Sequence, residues 1–192
     1  MLYLASVSPR RRKILKELGI SFRALRPAYH EKNDSKGAPS EIVQRHAVAK
    51  AESAVGRVPH GVILAADTIV YFGGRVIGKP KDFKDAVEIL SRLQGRWHWV
   101  YTGVVAMEVA SGKIKRKKVF FERTRVRLKS LSREEILVYF RKIKPLDKAG
   151  AYAIQSKKHT IVRGVKGSFS NAVGFPVESF KKYIKGFCKG PV

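Results

Sequence analysis

This sequence predicts an α/β fold: a mixed, twisted sheet flanked by helices, in a single domain over residues 1–192. Three observations carry that reading. Strand, helix and hairpin signals follow one another without strict βαβ alternation, which points to a mixed rather than a parallel sheet. The stretch GVILAADTIV (61–70) is apolar and branched enough for a central strand. The chain has 192 residues, 44% of them hydrophobic, 10% aromatic and 29% charged, which is ordinary globular composition. Domains run to roughly 150 residues, so one is expected, with room for two lobes. A chain this long buries roughly 70% of its unfolded surface and needs no disulfide or structural metal.

The elements follow in order. LYLA (2–5) reads as a short buried strand. Ser8 caps a helix that has Pro9 at its first position, Ile14, Leu15 and Leu18 on one face and Gly19 at its end. Residues 22–25 form a second strand. Pro39 and Ser40 open a helix that turns Ile42, Val43, Ala47 and Ala51 inward. After the central strand, Gly73-Gly74 marks a hairpin over 71–77, and Asp82 caps a helix to about Leu93. Residues 100–109 and 118–128 form strands joined through Ser111-Gly112. Arg123, Arg125, Arg127 and Lys129 alternate with Thr124, Val126 and Leu128, which gives that strand one wet face. Ser132 and Glu135 form a capping box for a helix to about Lys142. Residues 161–165 are a strand, and Pro176 opens a last helix with Val177, Phe180 and Ile184 inward.

Charge is the unusual quantity: 40 Lys and Arg against 15 Asp and Glu, a formal net charge of +25. Such an excess predicts attraction to polyanions: nucleic acid, anionic lipid or phosphorylated small molecules. The single cysteine, Cys188, excludes a disulfide framework and a cysteine zinc site. The N-terminus lacks the charge order of a signal peptide, and no apolar run approaches the roughly 20 residues of a membrane span. A protein of the cytosol, off the membrane, is expected. The five histidines are scattered without metal-ligand spacing, and His98, between Trp97 and Trp99, reads as a strand residue with a satisfied hydrogen bond.

Four segments carry candidate chemistry. In Ser6-Val7-Ser8-Pro9-Arg10-Arg11 a strand ends, hydroxyls occupy the turn and a helix begins with arginines. Free N–H groups and the helix dipole favour an anion there, and guanidinium forks suit phosphate; the plain alternative is a capped surface helix. Asp67 interrupts an apolar strand, where an unpaired carboxylate is costly; it is a general base, a magnesium ligand or half of a buried ion pair. Lys79, between Gly78 and Pro80, is displayed on a constrained loop as a point charge for phosphate. In Asp147-Lys148-Ala149-Gly150-Ala151-Tyr152-Ala153-Ile154-Gln155, small residues let the backbone approach a ligand and Gln155 can read a base edge; the alternative is a tight, packed loop.

Together these stretches resemble one family. LYLASVSPRRRKIL (2–15), ILAADTIVYFGGRVIGKP (63–80), LQGRWHWVYTGV (93–104), PLDKAGAYAIQ (145–155) and GSFSNAVGFPVE (167–178) are similar, in order and spacing, to the motifs of the Maf nucleoside-triphosphate pyrophosphatases. The resemblance implies a fold of that kind, with two lobes around a nucleotide-binding cleft. It implies hydrolysis of a nucleoside triphosphate to the monophosphate and diphosphate with a divalent cation, Mg2+ or Mn2+. Asp67 would be the general base and, with Glu31, would hold the metal. Ser8, Arg10, Arg11, Lys50 and Lys79 would bind substrate, Arg11 and Lys79 as exposed, phosphate-facing charges. The A-D-T motif and the ending in Gln155 resemble the subgroup that prefers dTTP and UTP, whose specificity positions would be Arg11, Thr68 and Gln155. A homodimer is expected. Gln94 and Phe175 depart from the family pattern, which usually has Ser and Leu there. Two other readings stand beside it: from the residues, a nucleic-acid-binding module built on Lys115–Lys118 and Arg123–Lys129 with Phe120 and Phe121, and, as the resemblance also implies, a regulatory protein that binds nucleotide without turnover.

Overall fold

In the computed structural model, which describes residues 1–29, 36–154, 161–184 and 187, the chain runs β1 (Leu2–Ala5), α1 (Pro9–Glu17), β2 (Arg23–Leu25), α2 (Pro39–Glu52), β3 (His60–Phe72), β4 (Arg75–Ile77), α3 (Phe83–Leu93), β5 (Trp97–Ala110), β6 (Lys113–Leu128), α4 (Arg133–Phe140), β7 (Val162–Lys166), α5 (Phe169–Val173) and α6 (Val177–Ile184). The seven strands form one sheet in the order β2-β1-β3-β5-β6-β7, with β4 paired to β3. The sheet is mixed. β1 runs parallel to β2 and to β3, whereas β4 is antiparallel to β3 and β7 is antiparallel to β6. The predicted α/β class stands.

Turn and cap chemistry explains the local structure. Gly73 and Gly74 both take positive φ (57° and 76°), as do Ser111 and Gly112 (52° and 67°). Two consecutive left-handed residues make the turn whose twist matches a β-hairpin. The second turn closes β5 and β6 from its first residue. β6 therefore starts earlier than the sequence suggested, with the Lys115–Lys118 run exposed on it, and β5 also begins earlier, at Trp97. Ser8 and Asp82 cap α1 and α3 by accepting the Arg11 and Asp85 amides. Ser132 and Glu135 close their capping box on α4, which stops two residues before the expected Lys142. α5 and the single turns at 55–57, 145–147 and 149–151 carried no clear sequence signal.

The chain divides into two compact units: residues 1–67, 102–122 and 174–192, and residues 68–101 and 123–173. In the first, Ala47, Ala51 and Ala54 pack with Tyr3, Ala5, Ile63, Ala65, Val105 and Met107, so small helix residues meet small and branched strand residues. Gly103 makes that approach possible. A Cβ there would lie 2.4 Å from the Val43 carbonyl carbon and oxygen, so any larger residue would push α2 off the sheet. In the second unit, Ala86, Val87, Ile89, Leu90 and Leu93 of α3 and Ile136, Tyr139 and Phe140 of α4 are buried, with Phe83 and Phe140 edge to face at 5.5 Å. The two departures from the family pattern are structural. Gln94 Oε1 accepts from the Leu131 amide at 3.2 Å, and Phe175 is fully buried against Phe180, with ring centres 5.1 Å apart.

Candidate active site

The tight seat of α2 decides what surrounds Asp67. His46 and Lys50 are four residues apart, so they share one helix face, and both are buried. The Lys50 ammonium lies 2.5 Å from Asp67 Oδ1 and donates to it. His46 Nδ1 lies 3.5 Å from Oδ2. Asp67 is 4% exposed, His46 7% and Lys50 8%. A carboxylate this buried requires a compensating cation, and Lys50 supplies it. Tyr29 packs edge-on against the His46 ring at 5.9 Å.

Arg11 is the clearest correction. The sequence presents it as an exposed charge beside Arg10, but it is buried. Its Nε donates to Gly174 O at 2.9 Å and its Nη1 to Ala66 O at 2.8 Å. The guanidinium straps the residue before Asp67 to the segment that leads into α6. Helical spacing contained the signal, since position 11 lies on the same face as Ile14 and Leu15. Arg10 is half-buried. The hydroxyls of the turn serve the turn itself: Ser6 Oγ accepts from the Ser8 amide at 3.1 Å, and Ser8 Oγ accepts from the Arg11 amide at 3.5 Å.

Thr68 and Lys79 belong to the second unit. Thr68 is half-buried, and Lys79 is exposed on the loop after β4. That loop is held by the 147–154 segment, where the Gly150 amide donates to Gly78 O at 3.1 Å. Gly150 has φ 73°, and a Cβ there would lie 3.0 Å from Val70 and 3.1 Å from Tyr152, so only glycine suits the position. Two tyrosines anchor the segment. Tyr139 Oη accepts from the Ala153 amide at 2.9 Å, and Tyr152 Oη is hydrogen-bonded to His98 Nε2 at 2.7 Å. Desolvation lowers the His98 pKa to about 4 and raises those of the Tyr152 and Tyr139 hydroxyls. The cluster is therefore neutral, and His98 has the hydrogen bond expected of it at Nε2, whereas among the described residues its Nδ1 is buried without a partner. Nearby, Asn171 Nδ2 donates to Val100 O at 3.2 Å and to Thr124 Oγ1 at 2.9 Å, joining α5 to β5 and β6.

The structure thus brings Arg11, Lys50 and Asp67 together and adds His46, which the sequence reading missed. Glu31 and Gln155 lie outside the described residues. Among the described residues, no group of three or more His, Cys, Asp or Glu side chains is placed to hold a metal ion, and no helix is long and apolar enough to cross a membrane.

Comparison with known proteins agrees with the motifs. A family model described as "Maf-like protein" matches residues 1–187. The chain belongs to the Maf family. The dTTP/UTP pyrophosphatase of Pelotomaculum thermopropionicum is 41% identical over 184 residues, covering 96% of this Maf chain and 95% of its relative. That of Carboxydothermus hydrogenoformans is 43% identical over 184 residues, covering 96% and 97%. Among solved structures, the Staphylococcus aureus Ham1 protein matches with a TM-score of 0.52 at 14% identity, over 97% of this chain and 98% of that one. At that identity the likeness concerns the fold of this Maf protein alone.

Proposed function

We propose that this Maf protein is a nucleoside-triphosphate pyrophosphatase that hydrolyses dTTP and UTP to the monophosphate and diphosphate. One observation carries the reading: a buried aspartate in the A-D-T motif, held by Lys50 and His46, in a chain about 40% identical to relatives named dTTP/UTP pyrophosphatase. In the proposed reaction the Asp67 carboxylate accepts a proton from a water molecule whose oxygen attacks the α-phosphorus. The bond from the α-phosphorus to the α,β-bridging oxygen breaks, and the electron pair leaves with diphosphate.

The other residues bind and orient. Ser8, Arg10 and Lys79 are assigned to the triphosphate, the two cations as counter-charges that strengthen as the diphosphate departs. Lys50 orients the carboxylate and is a second phosphate cation. Arg11 positions Asp67 through Ala66 O, in addition to the substrate contact assigned to it. Thr68 and Gln155 are assigned to the base, because a primary amide offers both a donor and an acceptor to the imide edge of thymine or uracil.

A divalent cation is part of the proposal. Mg2+ is held through one or two carboxylates together with substrate phosphates. Asp67 supplies one such oxygen donor and fits a cation that arrives with the triphosphate; Glu31 is the proposed second carboxylate. Bound Mg2+ or Mn2+ would neutralise charge on the phosphates. The test is diphosphate release from a panel of nucleoside triphosphates with either metal. Release from dTTP and UTP well above CTP and GTP is expected. Nucleotide binding without release would favour the regulatory reading instead.

A further inference from the structure

The second unit carries a row of cations and indoles on one face of the sheet. Side chains alternate across a strand. Thr124, Val126 and Leu128 are buried, and Arg123, Arg125 and Arg127 take the other face of β6. The two tryptophans of β5 interleave with them. The Arg123 guanidinium lies 5.0 Å from the Trp99 ring centre, and that of Arg125 lies 5.3 Å from both Trp97 and Trp99. The Lys166 ammonium of β7 lies 5.3 Å from Trp97.

The arrangement has an excess of positive charge that the strands do not offset. The register sets Lys166 directly opposite Arg125, and like charges in that relation repel. Residues 97–101, 123–128 and 162–166 contain no Asp or Glu. Glu122, the next acid along β6, alternates to the opposite face and accepts a hydrogen bond from Ser179. Among the described residues, Arg125 Nε is buried without a hydrogen-bond partner. A guanidinium stacked on an indole keeps its in-plane N–H donors for an anion.

We propose that this face binds the backbone of single-stranded nucleic acid. Cations recur every second residue along β6, a step of about 6.7 Å, which suits consecutive phosphates of an extended strand. The interleaved indoles offer bases a stacking surface between phosphate contacts, the combination that serves single strands without sequence preference. The net charge of +25 draws a polyanion at long range far more than it draws a mononucleotide. None of these residues belongs to the proposed catalytic site, so this surface stands or falls separately from the hydrolytic reading.

The chain has two tryptophans, Trp97 and Trp99, so intrinsic tryptophan emission reports on this row alone. Titrating the full chain with an unlabelled oligothymidylate should quench that emission. The logarithm of affinity should fall with the logarithm of salt at a slope of about −3, from four cations at about 0.7 each. Arg125→Ala should weaken binding about tenfold at low salt. Arg125→Lys should retain most of the affinity, and Lys115→Ala, on the exposed run of β6 outside the row, should change nothing. If Arg125→Ala does not fold by circular dichroism, Lys166→Ala at the exposed edge strand takes its place with the same expected loss. Unquenched emission at low salt would overturn the proposal. So would equal losses in Arg125→Ala and Lys115→Ala, or an equal response to phosphatidylglycerol vesicles, which would make the face a membrane surface.

Discussion

Asp67 and His98 are both titratable side chains buried on central strands, and they meet burial in opposite ways. Asp67 sits against the Lys50 ammonium, with His46 facing its other oxygen. His98 has no charged partner in its cluster; its contact is the Tyr152 hydroxyl, and desolvation keeps the imidazole neutral. Buried ion pairs are weak contributors to stability but costly to break, whereas a neutral hydrogen bond costs little desolvation and fixes geometry. The contrast suggests a division of labour. In the proposed reaction the charged cluster supplies the base, while the neutral cluster latches the segment that holds the Lys79 loop through Gly150 and Gly78.

The strongest way to break that contrast is to remove one charge. Lys50→Met leaves the Asp67 carboxylate buried without its ammonium and should cost about 3–5 kcal/mol in urea unfolding. Adding Asp67→Leu should recover most of that loss while leaving no hydrolysis. A double variant as unstable as the single one would show that charge compensation is not what Lys50 provides. Lys79→Ala tests an exposed charge instead. It should weaken triphosphate binding by about 1.5–3 kcal/mol, with the melting temperature unchanged. A lowered melting temperature with unchanged affinity would make Lys79 structural.

His98 sharpens the other side of the comparison through pH. Its pKa lies at about 4 in the folded protein, against about 6.5 in the unfolded chain. Below pH 6.5 the unfolded chain therefore takes up more protons, and stability falls as pH drops from about 6.5 towards 4. Between pH 7 and pH 5 this group alone should remove about 2 kcal/mol. Unfolding midpoints of His98→Gln should lack that component, so a pH dependence identical to wild type would refute the neutral latch.

Much of this molecule was legible in its residues, for reasons that can be named. The central strand, both glycine-containing hairpins and the Ser8, Asp82 and Ser132 caps depend on chemistry within a few positions of themselves. Asp67 was conspicuous because a carboxylate in an apolar strand demands an explanation. What escaped was tertiary. Arg11 reads as one of four consecutive basic residues; its spacing from Ile14 and Leu15 marked the inward face, but packing alone shows that its guanidinium donates to the Ala66 and Gly174 carbonyls. His46 was overlooked among the inward alanines of α2, although its spacing of four from Lys50 put both on one face. The Trp97 and Trp99 stack with Arg123 and Arg125 joins strands about 26 residues apart in sequence, so no local pattern announces it. α5 and the single-turn segments are too short for periodicity to mark.

The central claim is that Asp67 is the base that activates water. Asp67→Asn keeps the shape of the side chain and removes its basicity. Diphosphate release from dTTP, measured beside nucleotide affinity by calorimetry, tests the claim most directly. The account predicts a fall in turnover of about 10²–10⁴ with affinity held within a few-fold of wild type. Turnover close to wild type in Asp67→Asn would contradict it.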